Sequence, residues 1–142
     1  MTVDIRVAAG TDEARCLELI ETLTGETRAA GWSATFEALL GGERGEVLVA
    51  DEGGTLLGVA TTSYNLAIRY AGEYAQLEEL IVDPAARGKN VGGLLVGAAV
   101  ERARTRGCAE FGLYLLETTE HNRPFYEKYG FEYVGSEMRQ RL

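Results

Sequence analysis

Residues 87 to 93, Arg87-Gly88-Lys89-Asn90-Val91-Gly92-Gly93, have the residue types of an anion-binding turn. They stand between an apolar run closed by Pro84 and a helical pattern that begins at Val91. A helix N-terminus carries four N–H groups without intrahelical acceptors and about half a positive charge. Glycines beside it let a phosphate approach the backbone closely. The same residues would also serve as an ordinary strand-to-helix turn, and spacing alone does not separate the two readings. Two nucleotide motifs are absent. GxxxxGK[ST] fails because Asp83 stands five residues before Gly88 and Asn90 follows Lys89, and GxGxxG has no match.

The elements that would position this turn follow from hydrophobic periodicity. Val3, Ile5 and Val7 alternate with Asp4 and Arg6, which predicts a strand over 1–8. Thr11 or Asp12 is placed to cap a helix whose stripe is Cys16, Leu17, Leu19, Ile20 and Leu23. A second helix is expected over 33–40, ending at Gly41-Gly42. Two strands joined around Glu52-Gly53-Gly54 read as a hairpin. Another strand, 74–83, precedes the turn. The helix after the turn has Val91, Leu94, Leu95, Ala98, Ala99 and Ala103 on one face, Glu101, Arg102, Arg104 and Arg106 on the other, and Gly107 at its end. A strand over 109–119, a short helix over 122–130 and a last strand over 131–142 complete the chain. The helical crossover between 74–83 and 109–119 predicts one parallel pair in an otherwise antiparallel sheet. No repeat or linker interrupts the pattern, so one domain over 1–142 is expected.

With this order in place, the chain resembles the GNAT superfamily of acyl-CoA-dependent N-acyltransferases. Their motif [QR]-x-x-G-x-[GA] is similar to Arg87-Gly88-Lys89-Asn90-Val91-Gly92, here followed by "GLLVGAAV" and preceded by "LEELIVDPAA". A second marker is "NRPFYEKYGF", residues 122 to 131. One fixed position departs from the motif, Asn90 standing where glycine is usual. Asparagine tolerates left-handed backbone better than other non-glycine residues and is a favoured N-cap. The resemblance implies an α/β fold with a mixed, mostly antiparallel twisted sheet, a splayed central parallel pair and helices on both faces.

The resemblance also implies acetyl-CoA as co-substrate. Its pyrophosphate would rest on Arg87, Gly88, Lys89, Asn90, Val91, Gly92 and Gly93. The pantetheine arm would run along Leu80, Ile81 and Val82 like an added strand, with Tyr126 reaching it and Asn122 either reaching it or capping the short helix. Acyl transfer to an amine needs a base, because an alkylammonium titrates near roughly 10.4, and an acid or hydrogen-bond donor for the departing thiolate. Glu78 and Glu79 are the base candidates. Strand parity sends them to opposite faces unless a bulge intervenes, and related sequences favour the first. Tyr126 stands where many relatives carry the tyrosine that protonates the thiolate, although an aromatic there would also pack a core. His121, the sole histidine, ranks behind all of these. Trp32, Tyr64, Asn65, Tyr70 and Tyr74 are candidates for an acceptor groove, or equally for core and contact surfaces.

Composition narrows the partners. The net charge of −8 argues against nucleic acid, whose phosphates call for clustered Lys and Arg. It suits cationic amine acceptors, small molecule or protein, and equally plain solubility. Cys16 and Cys108 match no metal or redox spacing, so no metal is expected and both read as buried thiols. The opening residues lack the basic segment and apolar stretch of a secretory leader, and no apolar run approaches the ~18 residues of a membrane span. A cytoplasmic protein is expected, and a homodimer is among the states that the resemblance implies.

Overall fold

The structure, a computed structural model, describes residues 2–142, so the first residue of the expected opening strand lies outside it. Five strands form one sheet in the order β1 (Asp4–Val7), β2 (Gly45–Glu52), β3 (Thr55–Ala67), β4 (Gly72–Val82) and β5 (Phe111–Gly112). The first three pairings are antiparallel and the last is parallel. Helices α1 (Glu13–Thr24) and α2 (Trp32–Leu40) pack on one face, and α3 (Val91–Arg106) packs on the other. A short α4 (Arg123–Lys128) follows β5. Among the described residues no helix is long and apolar enough to cross a membrane.

The continuous apolar run Val47-Leu48-Val49-Ala50 is explained by this two-sided cover. Val47 and Val49 join Cys16, Leu17, Leu19 and Phe36 on the α1–α2 side, whereas Leu48 and Ala50 join Val91, Leu95 and Ala99 beneath α3. Burial in the first core pushes the Cys16 thiol up to about 12, so it is protonated and inert at neutral pH. The β2–β3 turn is Gly53-Gly54, with φ of 58° and 94°, the left-handed pair that a tight hairpin requires. Gly58 lets α3 approach the sheet closely. A Cβ there would stand 3.0 Å from the Ile81 carbonyl and from Val91 Cγ1.

Several expectations change in the folded chain. The last strand, 131–142, does not form: Val134 and Met138 are each 95% exposed, and no backbone ladder is present there. Its alternation offers a pattern, but Gly135 and Ser136 interrupt it and no neighbouring edge receives it. The tail instead rests on side-chain contacts, Arg139 lying 3.9 Å from the Tyr114 ring centre. The strand expected over 109–119 is paired only at Phe111–Gly112. Leu94 is 40% exposed rather than part of the buried helix face. Arg102 and Arg106 do not simply face water. Arg102 forks onto Glu46 at 2.7 Å, and Arg106 binds Glu73 and the Gly42 and Glu43 carbonyls.

Asp12 precedes α1 but makes no side-chain cap to it. Its carboxylate accepts from Arg6 at 2.8 and 3.1 Å and from the Ala9 N–H at 2.8 Å, while Arg6 Nε donates to Asp51. This network ties β1 and β2 to the entry of α1, and the Arg6 guanidinium holds the Asp12 carboxyl below its ordinary range. Asp12→Asn should therefore cost roughly 1–3 kcal/mol at pH 7 in denaturant unfolding. Because the folded pKa is depressed, the contribution is present above the ordinary aspartate value. It is lost as pH falls through the lowered one, where wild type and variant converge.

Candidate active site

The turn after β4 is built by local interactions. Pro84 sets a 3-10 turn over Pro84–Ala86, and Asp83 caps it by accepting the Ala85 N–H at 2.9 Å. Arg15 of α1 reaches the same carboxylate at 2.5 Å, and Ala86 is buried in the core under α3. Gly88 (φ 87°) and Asn90 (φ 55°, ψ 32°) are both left-handed and turn the chain into α3. Asparagine thus supplies the backbone that glycine supplies in the motif. Val91, Gly92 and Gly93 form the first turn, whose N–H groups have no acceptor within the helix.

The side chains of this turn are partly engaged elsewhere. Lys89 Nζ binds both oxygens of Glu52 at 2.8 and 3.1 Å, and the Lys89 N–H is directed at the Ala86 carbonyl. Asn90 makes no side-chain cap to α3; its Oδ1 accepts from the Tyr129 hydroxyl at 3.3 Å. Arg87 and Gly88 are exposed. The turn offers a backbone cradle and an exposed guanidinium, with Lys89 held at its rim.

Pairing between β4 and β5 ends at Gln76–Gly112, while β4 continues to Val82 bonded to β3 alone. The edge of Leu80-Ile81-Val82 is therefore unpaired in the ladder on its β5 side. Leu80 and Val82 share a cluster with Val91, Leu113 and Tyr126, so the structure brings the turn, the free edge and the α4 tyrosine together. Tyr126 meets Phe125 and Phe131 edge-on, at 5.0 and 6.0 Å between ring centres, and burial raises its phenol above the ordinary value. Asn122 is half-buried just before α4 and makes no side-chain cap to it.

The register jumps from Thr61–Glu79 to Thr62–Leu77, so Glu78 is an extra residue in β4. Val59 and Ile81 lie on the α1–α2 side. Their neighbours by two, Thr61 and Glu79, face the same way, and so does Ser63. Glu78 Oε2 accepts from Ser63 Oγ at 2.6 Å, which brings it to that side as well. The bulge thus overturns simple parity and sets both carboxylates on one face. Glu78 is exposed. Glu79 is half-buried, and desolvation first, then the Glu78 charge, holds its carboxyl above the ordinary range; a hydrogen bond to Thr61 opposes this.

Asn65 Nδ2 donates to Ser63 Oγ at 3.0 Å, and Tyr74 is its cross-strand partner, so both extend this polar strip. Tyr64 does not belong to it. It is buried under α3 with Ala75 and Ala103, with Arg106 3.9 Å from its ring centre. Trp32 packs into the α1–α2 core, and the Tyr70 hydroxyl is bound to Glu110 at 2.6 Å. His121 is exposed in the 3-10 segment Glu117–Asn122. Ser63 was not singled out in the sequence, because a lone strand serine gives no signal. Among the described residues no group of three or more His, Cys, Asp or Glu is placed to hold a metal.

Known proteins resemble this chain in sequence and in fold. The model of the Acetyltransferase (GNAT) family matches residues 13–131. Glucosamine 6-phosphate N-acetyltransferase of Trypanosoma brucei brucei is 36% identical over 63 residues, 44% of this chain and 41% of that protein. Glucosamine 6-phosphate N-acetyltransferase 1 of Oryza sativa subsp. japonica is 39% identical over 64 residues, 45% and 37% of the two chains. The match thus spans about two fifths of these relatives' length. A Trypanosoma brucei acetyltransferase structure superposes with TM-score 0.83 at 27% identity, covering 99% of both chains. Glucosamine-6-phosphate N-acetyltransferase from Arabidopsis thaliana shares the fold at TM-score 0.82 and 23% identity, over 100% and 99% of the chains. With most of its length inside the family model, the chain belongs to the GNAT family of acetyltransferases.

Proposed function

We propose that this protein transfers an acetyl group from acetyl-CoA to a primary amine by direct attack. The observation that carries the reading is the opening between β4 and β5, with two carboxylates on one sheet face and, on the other, Tyr126 packed against the same core cluster as Leu80, Val82 and Leu113. Acetyl-CoA supplies the acyl group and a thiolate leaving group. The first-turn N–H groups of Val91, Gly92 and Gly93, with Arg87, would hold its pyrophosphate, and the free edge of Leu80–Val82 would bond the amides of its arm. Asn122, half-buried just before α4, would assist there.

Of the two carboxylates, burial favours Glu79 as base. A carboxyl held above its ordinary value sits closer to the operating pH and accepts a proton more readily than an exposed one. Glu78, fixed by Ser63, would line the approach of a cationic acceptor. Glu79 takes the proton that the ammonium must lose, either directly or through water, and the N–C bond forms as the C–S bond breaks. Tyr126 is protonated at neutral pH as any phenol is, and burial holds that proton more firmly. A thiolate titrates near roughly 8.5, so it does not strip this phenol outright. The phenol hydrogen-bonds the developing negative sulfur and gives it a proton as the C–S bond breaks, and the second proton, which the nitrogen sheds as the amide forms, restores the phenol through water. A backbone N–H near Val82 would polarise the thioester carbonyl.

For the acceptor, the names of the relatives put an amino-sugar phosphate first in a screen, followed by polyamines, amino acids and lysine peptides. Thiol release from acetyl-CoA with that panel should identify at least one accelerating amine, and millimolar acetyl-CoA should raise the unfolding temperature. A shift without thiol release would point instead to a non-catalytic acyl-CoA-binding module. Tyr126→Phe should lower turnover by roughly two orders of magnitude or more with CoA binding retained; an unchanged rate removes it from the mechanism.

Glu79→Gln should lower turnover by roughly 10²-fold and, at pH 7, raise the unfolding midpoint. The folded state holds the Glu79 proton more tightly than the unfolded chain does. Stability from this group is therefore full below the ordinary glutamate value and is lost as pH rises through the raised one. The stabilising effect of the substitution should fade as pH is lowered.

A further inference from the structure

Three observations meet where α4 lies over the first turn of α3. The hydroxyl of Tyr129, next to the end of α4, donates to Asn90 Oδ1 at 3.3 Å. A Cβ on Gly93 would overlap that hydroxyl and would also collide with Asn90 Oδ1. One residue earlier, a Cβ on Gly92 would stand 3.4 Å from Phe125 Cζ, and Phe125 packs on Tyr129 with ring centres 5.2 Å apart. The two glycines therefore do more than clear a path for a phosphate. They form the seat on which Phe125 and Tyr129 dock, and the asparagine supplies the only polar tether of that seat seen among the described residues.

Geometry explains each residue type. Gly93 lies outside the six-residue motif and its φ is not left-handed, so turn-making does not require a glycine there. The space taken by Tyr129 does. Asn90 has the left-handed backbone that glycine would adopt freely, yet its side chain neither caps α3 nor lies unused. Tyr126 stands in α4 one turn before Tyr129, and the Tyr129 and Phe131 N–H groups both reach the Tyr126 carbonyl, at 2.9 and 3.3 Å. Whatever fixes Tyr129 therefore fixes the backbone that carries Tyr126.

We propose that Tyr129 is a positioning residue: through Asn90 and the Gly92–Gly93 seat it locks α4 to the donor cradle and so sets Tyr126 against the thioester. This rests on the acyl-transfer reading above. The lock acts on turnover rather than on donor affinity, because removing either side chain leaves the cradle N–H groups in place.

The test compares wild type, Tyr129→Phe, Asn90→Gly and the double variant. Acetyl transfer is followed with glucosamine 6-phosphate or, if that is inert, with the fastest amine of the panel. CoA binding is measured by calorimetry. Each single variant should lower kcat roughly tenfold, the scale on which a small misplacement of a reacting group acts, with CoA Kd within about twofold. The double variant should be no slower than either single one, because both substitutions break one tether. Multiplying losses, an unchanged kcat, or a Kd that weakens about tenfold in Asn90→Gly would overturn the proposal, the last by making the amide a donor contact. A readout that needs no catalysis separates this from failure of the acyl-transfer reading. Amide exchange at Tyr129 and Phe131 should speed up equally in both single variants, and exchange unchanged in both would sink the lock even in an inactive protein.

Discussion

The site depends on the place where β4 loses its parallel neighbour. A sheet strand normally satisfies its backbone groups on both edges, and β4 does so only as far as Gln76. Beyond it, β3 still holds one edge while β5 turns away, leaving the other edge of Leu80–Val82 without a ladder partner. Such an edge is a liability on an exposed surface, because it will pair with whatever extended chain arrives. Within the proposed reaction that liability is the binding device: a ligand arm with amides completes the sheet for as long as it stays. The bulge at Glu78 belongs to the same irregularity. An extra residue increases local twist just where the strands part, and it also brings Glu78 and Glu79 to one face.

An opening of this kind is useful only if its walls stay apart. Helix α3 spans the far side of the sheet and is fastened at both ends. Toward its C-terminus Arg102 and Arg106 fork onto Glu46 and Glu73 of the sheet. Ahead of its N-terminus Asp83 is held by Arg15 from the opposite face. Exposed ion pairs of this type contribute little individually. The larger constraint is packing, with Val91 and Leu95 seated against the bare backbone of Gly58. That close approach directs the first turn of α3, and the turn that precedes it, toward the mouth of the opening.

Which parts of this were legible in the sequence follows from the range of the interactions. The β2–β3 hairpin was readable because Gly53-Gly54 encodes its own turn, and α3 because its periodicity and its closing Gly107 are local. The bulge was not, since one extra residue in "LEELIV" leaves no mark in a pattern of apolar and acidic side chains. Asp12 read as a cap because its position suits one, but Arg6 across the turn offers a charged partner and takes the carboxylate. Tyr64 and Trp32 could not be told from groove residues, because facing depends on strand parity and helix docking that only the assembled sheet fixes. The tail shows the converse error. Residues 131–142 carry strand-like alternation, but a strand exists only with a partner.

The substitution of asparagine into the glycine-rich motif is best understood from the length of α4. At six residues it is too short to hold itself as a helix in water, where about a dozen or more are needed for even marginal stability. Its place must come from docking: Tyr126 against the core beneath α3, Phe125 on Gly92 and, just beyond the helix, Tyr129 on Gly93 and Asn90 and Phe131 against Phe111 of β5. A glycine at position 90 would give the left-handed backbone at no steric cost and nothing else. Asparagine adopts that backbone at modest cost and adds a hydrogen-bond acceptor directed at the Tyr129 hydroxyl, which lies over the first turn. The motif position is thus shared between two tasks, turning the chain into α3 and anchoring the element that carries Tyr126.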